Sequence, residues 1–273
     1  MKKIAFLTTI FPQNKDYLHT FIESLKQQTY KNFDIIVVND NYEDFEEIKR
    51  LYDSDLNIIE LKYSDTIAKN REYGINYCIS NGYDIIIFGD SDDYFANNRV
   101  EKSIELLERY DIVVNDLSLF NDNGVYEENY ISYRLNNLSL LDYSFIRNKN
   151  IFGFTNTALR LIDVKSVNIP EDLIAIDWYL FSILLLEGKS VIFTNDTVTY
   201  YRQHPQNTAG LGQINVQTYM KCIDVKKRHF LTLNRLFGGY ESEISYLYGL
   251  SDFDIAKLLS DANRDKLLWW ELI

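Results

Sequence analysis

The 273-residue chain is short of the residues that punctuate or staple a fold: 3 prolines, 11 glycines and 2 cysteines. So little Pro and Gly excludes a collagen-like or linker-rich architecture. Two cysteines, Cys78 and Cys222, exclude a disulfide scaffold and a cysteine-based zinc site. They suit a reducing compartment, so a cytoplasmic location is expected. Positive charge is also in deficit. Against 40 Asp and Glu stand 28 Lys and Arg, for a formal net charge of −12. Nucleic-acid binders neutralise phosphates with clustered cations, so no nucleic-acid partner is expected. An anionic membrane surface is disfavoured except at a local basic patch. The longest apolar stretch, residues 173–186, is interrupted by Asp177 and is too short to span a bilayer. The N-terminal MKKIAFLTTIF is too brief for a secretory leader and lacks a small-residue cleavage site, so it reads as a first buried strand.

Apolar residues are abundant, at 46% of the chain, enough for a sizeable core. Aromatics reach 15%, with 21 tyrosines. That suits stacking on flat or sugar-like ligands, and equally a compositional bias of the genome.

The first 120 residues alternate strand and helix patterns. Apolar runs at residues 4–9, 33–38, 56–61, 84–88 and 111–119 read as strands. Between them Leu18, Phe21, Ile22 and Leu25, then Ile67, Arg71, Ile75, Cys78 and Ile79, repeat at helical spacing. Asn81-Gly82 stops the second of these helices. Asn98 with Glu101 reads as a capping box for a helix carrying Val100, Ile104 and Leu107. This order implies a mostly parallel α/β sheet flanked by helices. Further on, residues 152–161, 191–193 and 198–202 read as extended and 176–187 as helical. From about residue 215 the chain reads as helices, including Leu258-Leu259 on an apolar face.

Ligands of parallel sheets bind at the carboxyl ends of the strands. Here those ends carry Asp40 and the cluster Asp90, Asp92, Asp93. Three carboxylates in four residues repel one another unless a cation or water lies among them. Mg²⁺ and Mn²⁺ take oxygen ligands and leave positions open for substrate phosphates. The other reading is an acidic turn that caps the next helix.

The segments TTIFPQN, SLKQQTYKNFDIIVVND, IAKNREYGI, DIIIFGDSDD, IDWYLFSILLLEGK and YYRQHPQNTAG follow one another in an order and spacing that resembles glycosyltransferase family 2. These are inverting nucleotide-sugar transferases with a Rossmann-like GT-A fold, and the resemblance covers about residues 1–210. It implies a GT-A domain over 1–210, with a nucleotide-binding half at 1–120 and an acceptor-binding half at 121–210, followed by a C-terminal helical region at 211–273. It implies that Thr9 and Phe11 lie against the base of a UDP-sugar donor, that Asp40 accepts a hydrogen bond from that base, and that Asn70 and Arg71 lie near the nucleotide. Asp90 and Asp92 match the DxD pair. Asp92, Asp93 and His204 are the implied ligands of Mn²⁺ or Mg²⁺, and Arg202 reaches the phosphates. Asp177 matches the general base that activates the acceptor hydroxyl of a glycan, glycolipid or glycoprotein. Trp178 either stacks on the acceptor sugar or packs.

Some residues depart from the family pattern. Thr9-Ile10-Phe11-Pro12 replaces the usual Pro-x-Tyr-Asn, Asn39-Asp40 replaces Asp-Asp, and Ile176 replaces the Glu before the base. Glu171-Asp172 offers a second acidic pair, but the helix pattern after Asp177 favours Asp177. These departures keep open a catalytically inactive nucleotide-sugar-binding partner of another transferase. A nucleotidyltransferase is discounted because residues 7–16 hold no Gly-rich basic loop. His19 is expected on an inert surface helix. The run Lys226-Lys227-Arg228-His229 is expected to be solvated, or to meet an anionic lipid-linked acceptor at the inner face of the membrane. The terminal LLWWELI is expected to dock on the core or on a second copy in a homo-oligomer.

Overall fold

Apolar continuity decides where the strands lie. All seven residues of β1 (Ile4–Ile10) and all four of β4 (Ile85–Phe88) are buried, as expected for strands covered on both faces. The protein is seen in a computed structural model that describes residues 2–52, 54–204, 207, 209, 215–251, 254, 256–258 and 266–271. The first half continues through α1 (Lys15–Lys26), β2 (Asp34–Asn39), α2 (Phe45–Tyr52), β3 (Asn57–Lys62) and α3 (Ile67–Ser80). Then come β5 (Tyr94–Phe95), α4 (Arg99–Leu106), β6 (Ile112–Asn121), β7 (Gly124–Glu127), β8 (Leu140–Leu141), α5 (Tyr143–Ile146), β9 (Thr157–Arg160) and α6 (Ile176–Leu186). The chain closes with β10 (Val191–Arg202), α7 (Val216–Phe237) and α8 (Glu241–Gly249).

One ten-stranded sheet has the order β3-β2-β1-β4-β9-β6-β10-β5, with β7 beside β6 and β8 beside β10. Strands β3, β2, β1 and β4 are parallel, as are β6 and β10. Antiparallel pairing enters with β9, which runs against both β4 and β6. Two reversals restore the direction, so β10 ends on the same side of the sheet as β1, β2 and β4. That topology brings residues 200–204 to the acids of residues 90–93. The expected extended segments 191–193 and 198–202 are one strand with a register shift between Thr194 and Val198.

Helices cover both faces. Thr66 caps α3, and Gly82 at φ 70° turns the chain after it. Gly74 lets α3 lie close to β1 and β2, since a Cβ there would meet Val38 Cγ2 at 2.8 Å and Leu7 Cδ1 at 2.9 Å. The capping box expected at Asn98 does not form. Asn98 Nδ2 instead donates to the Asp196 carbonyl, Gln28 Oε1 accepts from Val100 N at 3.0 Å, and Glu101 accepts from Thr29 Oγ1. Gln28, two residues past the end of α1, replaces the local cap.

The C-terminal helices share the main core: Val225, Phe230 and Leu233 of α7 pack in one cluster with Trp178, Phe181 and Leu184 of α6. The basic run is corrected by this packing. Lys226 and His229 are 2% and 1% exposed, so it is neither a solvated face nor a continuous basic patch. The terminal segment docks on the core through buried Leu267, Leu268 and Trp269. Leu259 and residues 272–273 lie outside the described residues. Among the described residues, no helix is long and apolar enough to cross a membrane.

Gly89 joins β4 to the acidic turn. A Cβ there would lie 2.4 Å from Phe6 Cε1 and 2.8 Å from Phe95 Cζ, atoms of two rings that pack on each other. Gly89→Ala is expected to lower stability by about 1–3 kcal/mol through overpacking. A urea titration should show a lower midpoint at unchanged slope.

Candidate active site

The acidic turn is fastened to the end of β1. Gly89 N donates to the Leu7 carbonyl at 3.1 Å, and Ser91 Oγ donates to the Thr9 carbonyl at 3.1 Å while accepting from Gln13 Nε2 at 2.8 Å. From this anchored turn the three aspartates point to different partners.

Asp90 is paired with Arg71 of α3, whose Nη2 donates to Asp90 Oδ1. The Arg71 guanidinium lies over the Phe154 ring, and its Nη1 is buried without a hydrogen-bond partner among the described residues. Burial raises the Asp90 carboxyl and neighbouring Asp92 adds to the rise, while Arg71 opposes it.

Asp92 faces His204, with Oδ2 and Nε2 2.9 Å apart. Its carbonyl accepts from Arg202 Nε at 2.7 Å. The Arg202 guanidinium lies between two rings, 4.0 Å from Tyr17 and 4.4 Å from Phe120. Asp93 turns inward and is fully buried. Its Oδ1 accepts from Arg202 N at 2.7 Å and its Oδ2 from Thr155 Oγ1. Burial, then Asp92 and Asp90, hold its carboxyl well above the usual range. The expectation that Asp93 is a metal ligand is therefore corrected: it ties the turn to β10 and to residue 155 from below.

Beneath the turn lies Arg99, fully buried, which donates from Nη2 to the Phe88 carbonyl at 2.6 Å and from Nε to Asn115 Oδ1 at 3.1 Å. Burial pushes it down to about 9, opposed by Asp93 and Asp90. Neither Arg99 nor Thr155 stood out in the sequence. Arg99 had one usable signal, a cation six residues after an acidic turn; Thr155 had none.

Asp177 lies in the first turn of α6 and accepts from Trp178 N at 2.7 Å. Burial pushes its carboxyl up to about 7, with Asp90 raising it further and Arg71 opposing. Its field therefore reaches the Asp90–Arg71 pair. Glu171 and Asp172, the other acidic pair, are exposed. Trp178 is corrected as an acceptor platform. It is 0% exposed, donates from Nε1 to the Ile146 carbonyl at 2.8 Å, and stacks on His229 at 3.8 Å. No face of its ring is left for a sugar.

Beside these groups, Asp40 directly follows β2. Its Oδ1 accepts from Ser64 Oγ at 2.5 Å and its Oδ2 from Asn70 Nδ2 at 2.9 Å. Asn70 is 1% exposed and also accepts from Asp65 N. It orients Asp40 and presents no surface to a nucleotide, which corrects its assignment to donor binding. Phe11 is 47% exposed, while Thr9 is buried with its Oγ1 unpartnered. A cavity of about 360 Å³ opens next to Asp40, lined by Asn39, Asn41, Glu60, Tyr63 and Ser64 among others. A larger one of about 740 Å³, by His19, Glu23, Tyr94 and Tyr200, is lined by none of Asp40, Asp90, Asp92, Asp93 and Asp177. His19 itself contacts Tyr52 Oη at 3.2 Å.

Among the described residues, no three His, Cys, Asp or Glu side chains converge on one metal position. The Asp92–His204 pair nevertheless suits a divalent ion. Neighbouring ligands of an octahedral site with bonds near 2.1 Å lie about 3 Å apart, and such ions complete their shells with water and substrate phosphates. The Oδ2 and Nε2 atoms are joined by a hydrogen bond at 2.9 Å, a separation also compatible with that spacing.

Residues 8–164 match the family described as Glycosyl transferase family 2, and the chain belongs to it. WfaP of Escherichia coli, a UDP-Glc:alpha-D-GlcNAc-diphosphoundecaprenol beta-1,3-glucosyltransferase, is 25% identical over 223 residues, 79% of this chain and 84% of WfaP. The crystal structure of S. aureus TarS 1–349 in complex with UDP-GlcNAc matches with a TM-score of 0.61 at 17% identity, over 84% of this chain and 66% of that one. The mannosyltransferase PcManGT of Pyrobaculum calidifontis, in complex with GDP-Man and Mn²⁺, matches with a TM-score of 0.62 at 14% identity, over 97% of this chain and 76% of that one. The fold is GT-A, and the protein is a glycosyltransferase.

The raised Asp177 carboxyl carries a stability consequence. The unfolded chain releases this proton near 3.8 and the folded chain holds it to about 7. Stability therefore falls as pH rises between those values, and the loss is complete above the upper one. Asp177→Asn removes the penalty. It should be more stable than wild type by about 1–3 kcal/mol at pH 8, with no gain near pH 4, in urea titrations at the two pH values.

Proposed function

We propose that the chain transfers a sugar from a uridine-diphosphate sugar to a hydroxyl group of a lipid-linked glycan acceptor, inverting the anomeric carbon. The observation that carries this reading is a carboxylate pushed up to about 7, Asp177, set within the field of the Asp90–Arg71 pair at the strand ends. A general base works best when its pKa lies near the operating pH. Asp177 takes the acceptor hydroxyl proton, the oxygen forms its bond to the anomeric carbon, and the bond to the donor diphosphate breaks. Attack from the face opposite the leaving group inverts that carbon and needs no covalent glycosyl-enzyme.

The leaving diphosphate gathers negative charge, which prearranged cations stabilise. Arg71 supports that role through its buried Nη1, which has no hydrogen-bond partner among the described residues. Asp92 and His204 would hold Mn²⁺ or Mg²⁺, and the ion, when bound, supplies Lewis-acid stabilisation of the departing oxygen. The P. calidifontis neighbour is a complex with Mn²⁺, and the S. aureus neighbour a complex with UDP-GlcNAc. Asp40, braced by Ser64 and Asn70, reads the base, with exposed Phe11 available to stack on it. The lipid-diphosphate acceptor in the name of WfaP supports the acceptor class. An inactive binding partner is the weaker reading, because the acids of the strand-end cluster and Asp177 are all retained.

The test is a screen of nucleotide sugars with Mn²⁺, reading slow donor hydrolysis, which needs no acceptor. Hydrolysis of a UDP-sugar with Mn²⁺ and none with chelator is the expected result. Asp92→Ala should abolish Mn²⁺-dependent binding of UDP; tight metal-free binding that survives this change overturns the metal assignment. Asp177→Asn should bind donor normally and lose transfer by about 10²-fold or more. Wild-type transfer should fall tenfold per pH unit below about 7, as Asp177 takes up its proton.

A further inference from the structure

The proposed chemistry makes no use of the apolar terminal stretch LLWWELI. Its described part, residues 267–271, runs across the molecule as a strap. Tyr130 Oη donates to the Leu267 carbonyl at 2.5 Å, and Asn150 N to the Trp269 carbonyl at 2.8 Å. Arg134 Nη1 reaches both carboxylate oxygens of Glu271, at 2.6 and 2.7 Å. The strap is thus fixed at three separate backbone and side-chain points.

The indole of Trp269 is 6% exposed, and its surroundings lead to the active site. Its ring meets Tyr201 edge-on, centroids 5.5 Å apart. Its Nε1 donates to the Ala209 carbonyl at 3.2 Å, and the same carbonyl accepts from Tyr201 Oη at 2.8 Å. Two residues before Ala209, Asn207 encloses His204: its Oδ1 accepts from His204 N at 2.6 Å and its N donates to the His204 carbonyl at 3.1 Å. Asn207 Nδ2 also donates to the Arg202 carbonyl at 2.9 Å. Asn207, which encloses His204, is therefore tied to β10, and Ala209 is tied jointly to β10 and the strap. Across the indole is Gly153, where a Cβ would meet Trp269 Cη2 at 2.9 Å.

His204 lies two residues beyond Arg202, the last residue of β10, and one beyond Gln203, whose N still donates to the Phe120 carbonyl at 2.8 Å, so His204 stands just past the strand ladder. Ordering such a residue has an entropic cost, and an interaction that orders it in advance removes that cost from the binding step. We propose that Trp269 is a positioning residue for the diphosphate end of the site: the docked strap holds Ala209, two residues from the Asn207 that encloses His204, so that His204 keeps its place opposite Asp92. The proposal rests on the reading of Asp92 and His204 as the metal-holding pair.

The test compares Trp269→Phe, Trp269→Ala and Glu271→Gln with His204→Ala in the full-length protein. Mn²⁺ affinity is measured without donor, by electron paramagnetic resonance of the free ion, alongside thermal melting. Trp269→Phe keeps a ring in the core and loses one hydrogen bond, so it should stay folded and weaken Mn²⁺ binding about 3- to 10-fold. Saturating Mn²⁺ should then restore its kcat, because the ion's affinity has changed and not the chemistry. Glu271→Gln, which loosens the strap at a distance, should shift affinity the same way. Wild-type Mn²⁺ affinity in folded Trp269→Phe and Trp269→Ala, with His204→Ala impaired, overturns the positioning role and leaves the metal reading standing. Unchanged affinity in His204→Ala overturns both.

Discussion

Holding four carboxylates together at one end of a sheet is the constraint on which this structure turns. Asp90, Asp92 and Asp93 fall within four residues, and Asp177 lies within the field of Asp90. An ionised carboxylate out of water is unfavourable by several kcal/mol unless paired and hydrogen-bonded. The fold answers with cations from three separate elements: Arg71 from α3 against Asp90, Arg99 from α4 beneath Asp90 and Asp93, and Arg202 from the end of β10 against the backbone of Asp92. Each cation fixes where its element can sit. Arg99 lies 4.4 Å from the Phe95 ring and donates to the Phe88 carbonyl, so α4 is locked to the end of β4. The detour through β9 has the same purpose, because it returns β10 to the acidic end of the sheet.

Within that cluster the acids divide the work by direction. Asp93 is turned into the protein and saturated by Arg202 N and Thr155, a structural tie. Asp92 is turned outward to His204 and keeps coordination capacity. Asp90 is committed to Arg71, which lowers the repulsion that Asp177 feels. Asp177 is raised only as far as about 7, because the hydrogen bond from Trp178 N and, after it, Arg71 oppose the combined effect of burial and Asp90. The same arginine thus balances two carboxylates and still has Nη1 without a hydrogen-bond partner among the described residues.

The elements that could be read from the sequence were those with a one-dimensional signature. Buried parallel strands are apolar throughout, so β1, β2 and β4 and the acids at their ends were visible. Side-chain direction within a turn has no such signature, which is why Asp92 and Asp93 could not be separated. Trp178, for which stacking on a sugar and packing were both open, packs, and the sequence could not choose between the two for a related reason. Helix α6 is apolar on every side, so periodicity gives no exposed face, and α7 covers the one that remained. Asn70 was placed beside the nucleotide by its neighbours in sequence, whereas its contacts to Asp40 and Asp65 are set by α3 crossing the end of β2. The missing cap at Asn98 is another long-range event, since Gln28 arrives from the end of α1. The basic run misled because four consecutive charges look solvated, yet a helix sends Lys226 and His229 to its buried face and Lys227 and Arg228 outward.

That buried face changes the status of the C-terminal region. His229 stacks on Trp178, the residue next to Asp177, and burial together with nearby Lys226 pushes its imidazole down to about 3. It is therefore a neutral, flat packing surface throughout the physiological range, and it supports the first turn of α6 from behind. The strap, on the same side of the chain's end, supports the segment after β10. Asp177, the proposed base, and His204, the proposed metal-facing histidine, come from different parts of the sheet, and described residues beyond 215 pack behind both. A helical appendage that merely followed the catalytic domain would bury its own core. This one buries Trp178 and Tyr201, side chains adjacent in sequence to the site, and so completes the catalytic fold.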